Sequence, residues 1–87
     1  MARVRCFEIA GVQCYWISGD HDPPHFHARR PGEWHYVVNF LEPRSRMLRV
    51  KREVKRIAGS VRRARCARAE ANHDALLQEW QSRNEGL

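Results

Sequence analysis

The sequence predicts an α+β domain: a small antiparallel sheet of about four strands, followed by two C-terminal helices packed on one face. Three observations point there. The first forty positions carry short aromatic and β-branched runs. Turn residues break them at short intervals. After Pro43 the apolar period lengthens from two to between three and four. A chain of 87 residues holds one domain, with a β-rich part at 1–42 and a helical part at 43–87.

Val4 to Ile9 and Val12 to Ile17 read as strands joined by a tight turn at Ala10-Gly11. Alternation along the second run puts Val12, Cys14 and Trp16 on one face, with Gln13, Tyr15 and Ile17 on the other. Gly19 to Pro24 is a polar loop whose two prolines deny regular structure. His25 to Arg30 then forms a third strand and Trp34 to Phe40 a fourth. Arg30-Pro31-Gly32-Glu33 between them is a turn, with proline and glycine where a type II turn takes them.

Val50, Val54, Ile57, Val61 and Ala64 follow at steps of 4, 3, 4 and 3, an apolar stripe along one helical face. Gly59 inside that helix costs about 1 kcal/mol relative to alanine and marks a place for a kink or break. Asn72 is expected to cap a last helix on which His73, Leu76, Leu77 and Trp80 line up at i, i+3, i+4 and i+7. Asp74 near its start suits the helix macrodipole.

Composition removes several classes of function. Mean hydropathy is −0.71, and apolar stretches such as Val12 to Ile17 are far too short to cross a bilayer. Met1 to Arg5 has no apolar leader core behind it. Cys6, Cys14 and Cys66 form an odd, unclustered set, which predicts free, buried thiols in a reducing compartment, the cytoplasm. No P-loop, GxGxxG, GxSxG or HExxH motif occurs, so nucleotide-phosphate folds, serine hydrolases and zincin proteases gain no support.

The net charge of +6 is concentrated. Residues 44–68 carry eleven basic side chains against the single acid Glu53. Fourteen of the sixteen cations are arginine, whose planar fork grips phosphate and carboxylate. Arg49, Arg52, Lys55, Arg56, Arg62 and Arg63 are therefore candidates to hold phosphates or an acidic partner. The same pattern also describes an ordinary solvated helix face. Trp16, Trp34 and Tyr36 are open to two readings, base stacking or core.

The most unusual stretch is Asp20-His21-Asp22-Pro23-Pro24-His25-Phe26-His27. His25 and His27 lie two apart on a strand and so share a face. Such a pair suits acid–base chemistry, with Asp20 and Asp22 orienting the imidazoles. With His21 it also suits zinc or another divalent transition metal. The aspartates and prolines equally make a stable turn without chemistry. His35 joins the pair or leaves it according to hairpin register. A two-residue loop at Pro31-Gly32 turns it to the opposite face, and one extra residue turns it back.

Extended through Ala28, this string resembles the signature of domain of unknown function 4160, a family of small bacterial proteins. Its members carry Asp-His-Asn-Pro-Pro-His-Phe-His after a short hairpin, and Asp22 stands here in place of the asparagine. Asn72, Leu76-Leu77 and Trp80 resemble the family's closing helix. The match covers residues 3–40 and 70–81, while 43–69 are longer and richer in arginine than is usual in the family. The resemblance implies a toxin-like component of a type II toxin–antitoxin pair acting on RNA or translation, with a cognate small antitoxin protein as partner. It assigns no catalytic residue. Three functions thus compete: a toxin-like protein acting on nucleic acid, a binding module whose histidine loop is scaffold, and a metal-binding regulatory domain.

Overall fold

Each strand of a small sheet must find partners for its backbone N–H and C=O groups, and this chain does so by meandering. The computed structural model describes residues 2–17, 19 and 21–85. Five antiparallel strands lie side by side in chain order: β1 (Ala2–Arg3), β2 (Gln13–Trp16), β3 (Phe26–Arg30), β4 (Trp34–Val38) and β5 (Leu48–Glu53). A single turn, α1 (Arg44–Met47), precedes β5; α2 (Gly59–Ala71) and α3 (His73–Glu85) follow it. No described helix is long and apolar enough to cross a membrane.

The α+β class stands, but the sheet has a fifth strand where a helix was expected. Residues 48–51 alternate apolar and basic as well as they fit a helical stripe. β4 decides between the two readings. Trp34, Tyr36, Val37 and Val38 are buried on both its faces, and without β5 its outer hydrogen-bonding groups would go unpaired. The valine stripe dissolves accordingly: Val50, Val54 and Val61 are exposed, and only Ile57 packs inward. The helix begins at Gly59, so the expected break falls there.

The turn at residues 9–12 is as expected, with the Val12 N–H on the Ile9 carbonyl and Gly11 at φ 76°. Before it, only Ala2 and Arg3 form a strand, against Trp16 and Tyr15. Val4 and Phe7 leave the sheet to fill the core. There they join Trp16, Phe26, Phe40, Leu76 and Trp80, with Trp16 at 5.9 Å from both the Phe26 and Trp80 rings. Trp34 and Tyr36 are also buried, so the core reading holds for all three candidate stackers. The three thiols are free, and burial raises each above the ordinary cysteine value.

α2 meets the sheet through Arg62, Arg65, Cys66 and Ala69 rather than through Val61 and Ala64. Its arginines lie over the rims of core rings: Arg62 over Tyr36 at 5.5 Å, Arg65 over Trp34 at 5.5 Å, Arg68 over Phe7 at 4.9 Å. Their aliphatic stems cover apolar surface while the guanidinium groups face the ring electrons. Asn72 does not cap α3 with its side chain. Its amide donates back to the Arg68 carbonyl at 2.8 Å, and its own carbonyl receives the Leu76 N–H.

One carboxylate ties the N-terminal segment to α3. Glu79 accepts the Trp16 indole N–H at 2.6 Å, the Arg5 N–H at 2.9 Å and the Cys6 N–H at 3.2 Å. Burial by itself would raise the Glu79 pKa, but these donors outweigh it and hold the carboxyl below its ordinary value. A depressed acid stabilises the fold above its unfolded value and loses that contribution as pH falls through the folded one. Glu79→Ala is expected to cost about 2–3 kcal/mol at pH 7, through three donors left unmatched. In urea titrations its deficit should shrink on acidification; a deficit independent of pH would show that the carboxylate charge is not what matters. The Arg65 Nε is buried with no hydrogen-bond partner. Arg65→Met keeps the stem over Trp34 and removes that orphan, so its melting temperature should equal or exceed the parent's.

Candidate functional site

The face of the sheet turned away from α2 and α3 carries His27 and His35, and the β3–β4 hairpin puts them there. The Glu33 N–H bonds the Arg30 carbonyl at 3.0 Å, and Gly32 adopts φ 81°, as the third position of a type II turn requires. Strand pairing nevertheless resumes at Arg30 and Trp34, so the loop is three residues long. Arg29 then opposes His35, and His27 opposes Val37. His27 and His35 therefore share a face, the arrangement that one additional loop residue selects.

Tyr15, across from His27 on β2, stacks on its ring at 5.3 Å and 10°. The His27 Nδ1 lies 3.1 Å from the His35 Nε2, and the Tyr15 hydroxyl 3.4 Å from that same nitrogen. Two neutral imidazoles in contact need one N–H between them, so the pair fixes the tautomers jointly. His27 is consequently only 4% exposed, the single charged or polar side chain among the buried described residues. His25 stands at the entrance to β3, its ring 5.5 Å from that of His27. Its Nδ1 donates to the Pro23 carbonyl at 2.8 Å.

A cleft of about 450 Å³ opens at His25 and His27, lined also by His21, Asp22, Arg46, Arg49 and Lys51. Glu42, 3.8 Å from Arg46, also lines it. A β-bulge on β5 shapes it. Arg52 pairs with His35 and Val50 with Tyr36, so Lys51 is the extra residue. The bulge resets the alternation and brings Arg49 and Arg52 to one face, though three residues apart they would otherwise point oppositely. Arg29 and Arg52 flank His35 there. Burial, then the charges of Lys51 and Arg29, hold its pKa below the ordinary 6.5.

The candidates thus meet different fates. His25, His27, His21 and Asp22 converge on the cleft, and Asp20 lies outside the described residues. Among the described residues no group of three or more His, Cys, Asp or Glu side chains could hold a metal ion. His21, His25 and His27 therefore do not form a ligand set on their own.

The six basic candidates do not form one helical face. Arg49 lines the cleft and Arg52 lies beside His35. Lys55 is 3.7 Å from the Glu33 carboxylate, Arg62 covers Tyr36, and Arg56 and Arg63 are exposed. Tyr15, Arg29, Arg46 and Lys51 belong to the site without having stood out in the sequence. The alternation put Tyr15 on the face opposite Trp16, and the basic block at 44–68 contained Arg46 and Lys51, but nothing singled out Arg29.

His35→Ala removes the nitrogen partner of His27, at an expected cost of about 1–3 kcal/mol. Because the folded state resists a proton that the unfolded chain accepts, the His35 contribution is full above pH 6.5 and declines as pH falls through the lower folded value. The parent should therefore lose more stability than His35→Ala between pH 7.5 and 5.5. Equal losses in paired denaturation curves would clear His35 of that role. Comparison of the chain with protein-family models, with curated proteins and with solved structures finds no match.

Proposed function

We propose that this chain is a small cytoplasmic, toxin-like protein of a toxin–antitoxin pair, and that it binds the phosphodiester backbone of single-stranded RNA in the histidine cleft. One observation carries the reading: His25 and His27 face the same cleft as Arg46, Arg49 and Lys51. Imidazoles beside cations suit a substrate that is both anionic and in need of proton transfer. The resemblance of residues 20–28 to domain of unknown function 4160 supports the toxin-like assignment.

The chemistry this arrangement can perform is transesterification. The His25 imidazole takes the proton of a ribose 2′-hydroxyl, whose oxygen attacks the adjacent phosphorus. The bond to the 5′-oxygen breaks, and that oxygen receives a proton from His27, which enters the step as imidazolium and leaves it neutral. Arg46, Arg49 and Lys51 balance the charge gathering on the phosphoryl oxygens. Asp22 borders the cleft where it can orient an imidazole, the part expected of Asp20 as well. His35 holds the His27 ring in register. The burial of His27 favours a second reading, a binding module without chemistry.

The test uses an end-labelled single-stranded oligoribonucleotide. Three cations, Arg46, Arg49 and Lys51, give an expected affinity loss of about 20-fold between 50 and 200 mM salt. Cleavage should leave a 2′,3′-cyclic phosphate, and a folded His25→Ala/His27→Ala variant should bind normally without cutting. Binding with the expected salt slope but no cleavage by the parent selects the binding module. Absence of binding at 50 mM salt overturns both.

A further inference from the structure

β5 is the last strand of the sheet, and among the described residues nothing pairs with its outer edge. Five of its six residues are exposed, and the opposite edge, β1, is only two residues long. An edge of this length offers a row of unpaired N–H and C=O groups to any extended chain that can lie alongside. We propose that β5 is the docking site for an extended acidic segment of a partner protein, taken up as a sixth strand.

Charge selects that occupant. Arg49, Lys51 and Arg52 project from the strand, whereas its one acid, Glu53, accepts the Tyr36 hydroxyl at 3.0 Å. A second copy of this chain is a poor occupant, because two such edges would set cation against cation. The Lys51 bulge and its neighbouring charges are the features by which edges reject their own kind. Carboxylates at alternate positions of an incoming strand would instead meet arginine and lysine. Val50, 42% exposed and on the opposite face from Arg49, supplies an apolar contact for a residue between. The fitting segment alternates glutamate or aspartate with valine or isoleucine.

This site does not depend on RNA binding, but it is adjacent to the cleft. Arg49 and Lys51 serve both, so a docked acidic strand would neutralise cations that the cleft offers to phosphate. An acidic partner would thereby act as an antagonist of polyanion binding without entering the cleft.

The test uses an eight-residue peptide alternating glutamate and valine, titrated calorimetrically into the intact protein. Its controls are a lysine–valine counterpart and an analogue with two adjacent central nitrogens methylated, which blocks both edges of the peptide. The acidic peptide should bind and slow amide exchange within residues 48–54. The methylated analogue should bind at least about tenfold more weakly, through lost main-chain hydrogen bonds. Arg49→Glu/Arg52→Glu should transfer the preference to the lysine peptide, and Lys51→Glu should weaken acidic binding if the double variant does not fold. Equal binding of the methylated analogue, protection mapping to α2 instead of β5, or no binding by the acidic peptide would each overturn the proposal. Oligoribonucleotide affinity measured on the same preparations reports on the cleft separately.

Discussion

The geometry of the candidate site depends on the length of one hairpin loop. Side chains on a strand alternate with a period of two, so moving the β3–β4 pairing by a single residue would exchange the two faces of β4. With Pro31, Gly32 and Glu33 in the loop, His35 lies beside His27, and Tyr36 points into the core with Trp34. One residue fewer would put His35 among the aromatic rings and bring Tyr36 alongside His27. The Lys51 bulge on β5 is a second parity shift, and it keeps Arg52 on the histidine face after Arg49. Neither device contributes a functional group, yet together they decide which groups meet.

The result is a sheet with two dissimilar faces. One is an ordinary aromatic core closed by α2 and α3. The other is narrow and polar, a line of Tyr15, His27 and His35 held by ring stacking and nitrogen–nitrogen contact. Burying an imidazole is costly unless its nitrogens are partnered, and here the partners come from adjacent strands. The same shielding that keeps His27 from solvent keeps its orientation fixed, which suits a proton-transfer group as well as a structural one.

The arginine block has no single purpose. Arg62, Arg65 and Arg68 lie over aromatic rings, Arg44 pairs with Glu70, and Arg49 and Arg52 turn to the open face. Read along the chain these residues look like one cationic helix, because charge density carries no information about direction. The valine stripe misled for a related reason. Steps of three and four also contain the alternation of a short strand, and the unpaired edge of β4 outweighed the helical pattern. Glu79 shows the opposite case, an unremarkable helical acid that closes the N-terminal segment through donors more than sixty residues away.

Local chemistry alone determined the α+β class, the strands around Tyr15, His27 and Tyr36, the turn at Gly32 and the closing helix through Leu76 and Trp80. Each depends on contacts within a few positions, or on a periodicity that one element expresses by itself. It also placed His25 and His27 together, since they are two positions apart in sequence, although the strand begins only at Phe26. Tertiary structure decided the rest: the fifth strand, the rotation of α2, the inclusion of His35 and the sorting of the arginines. Those outcomes turn on which distant surface each segment meets, and that is settled by backbone pairing and burial competing across the whole chain.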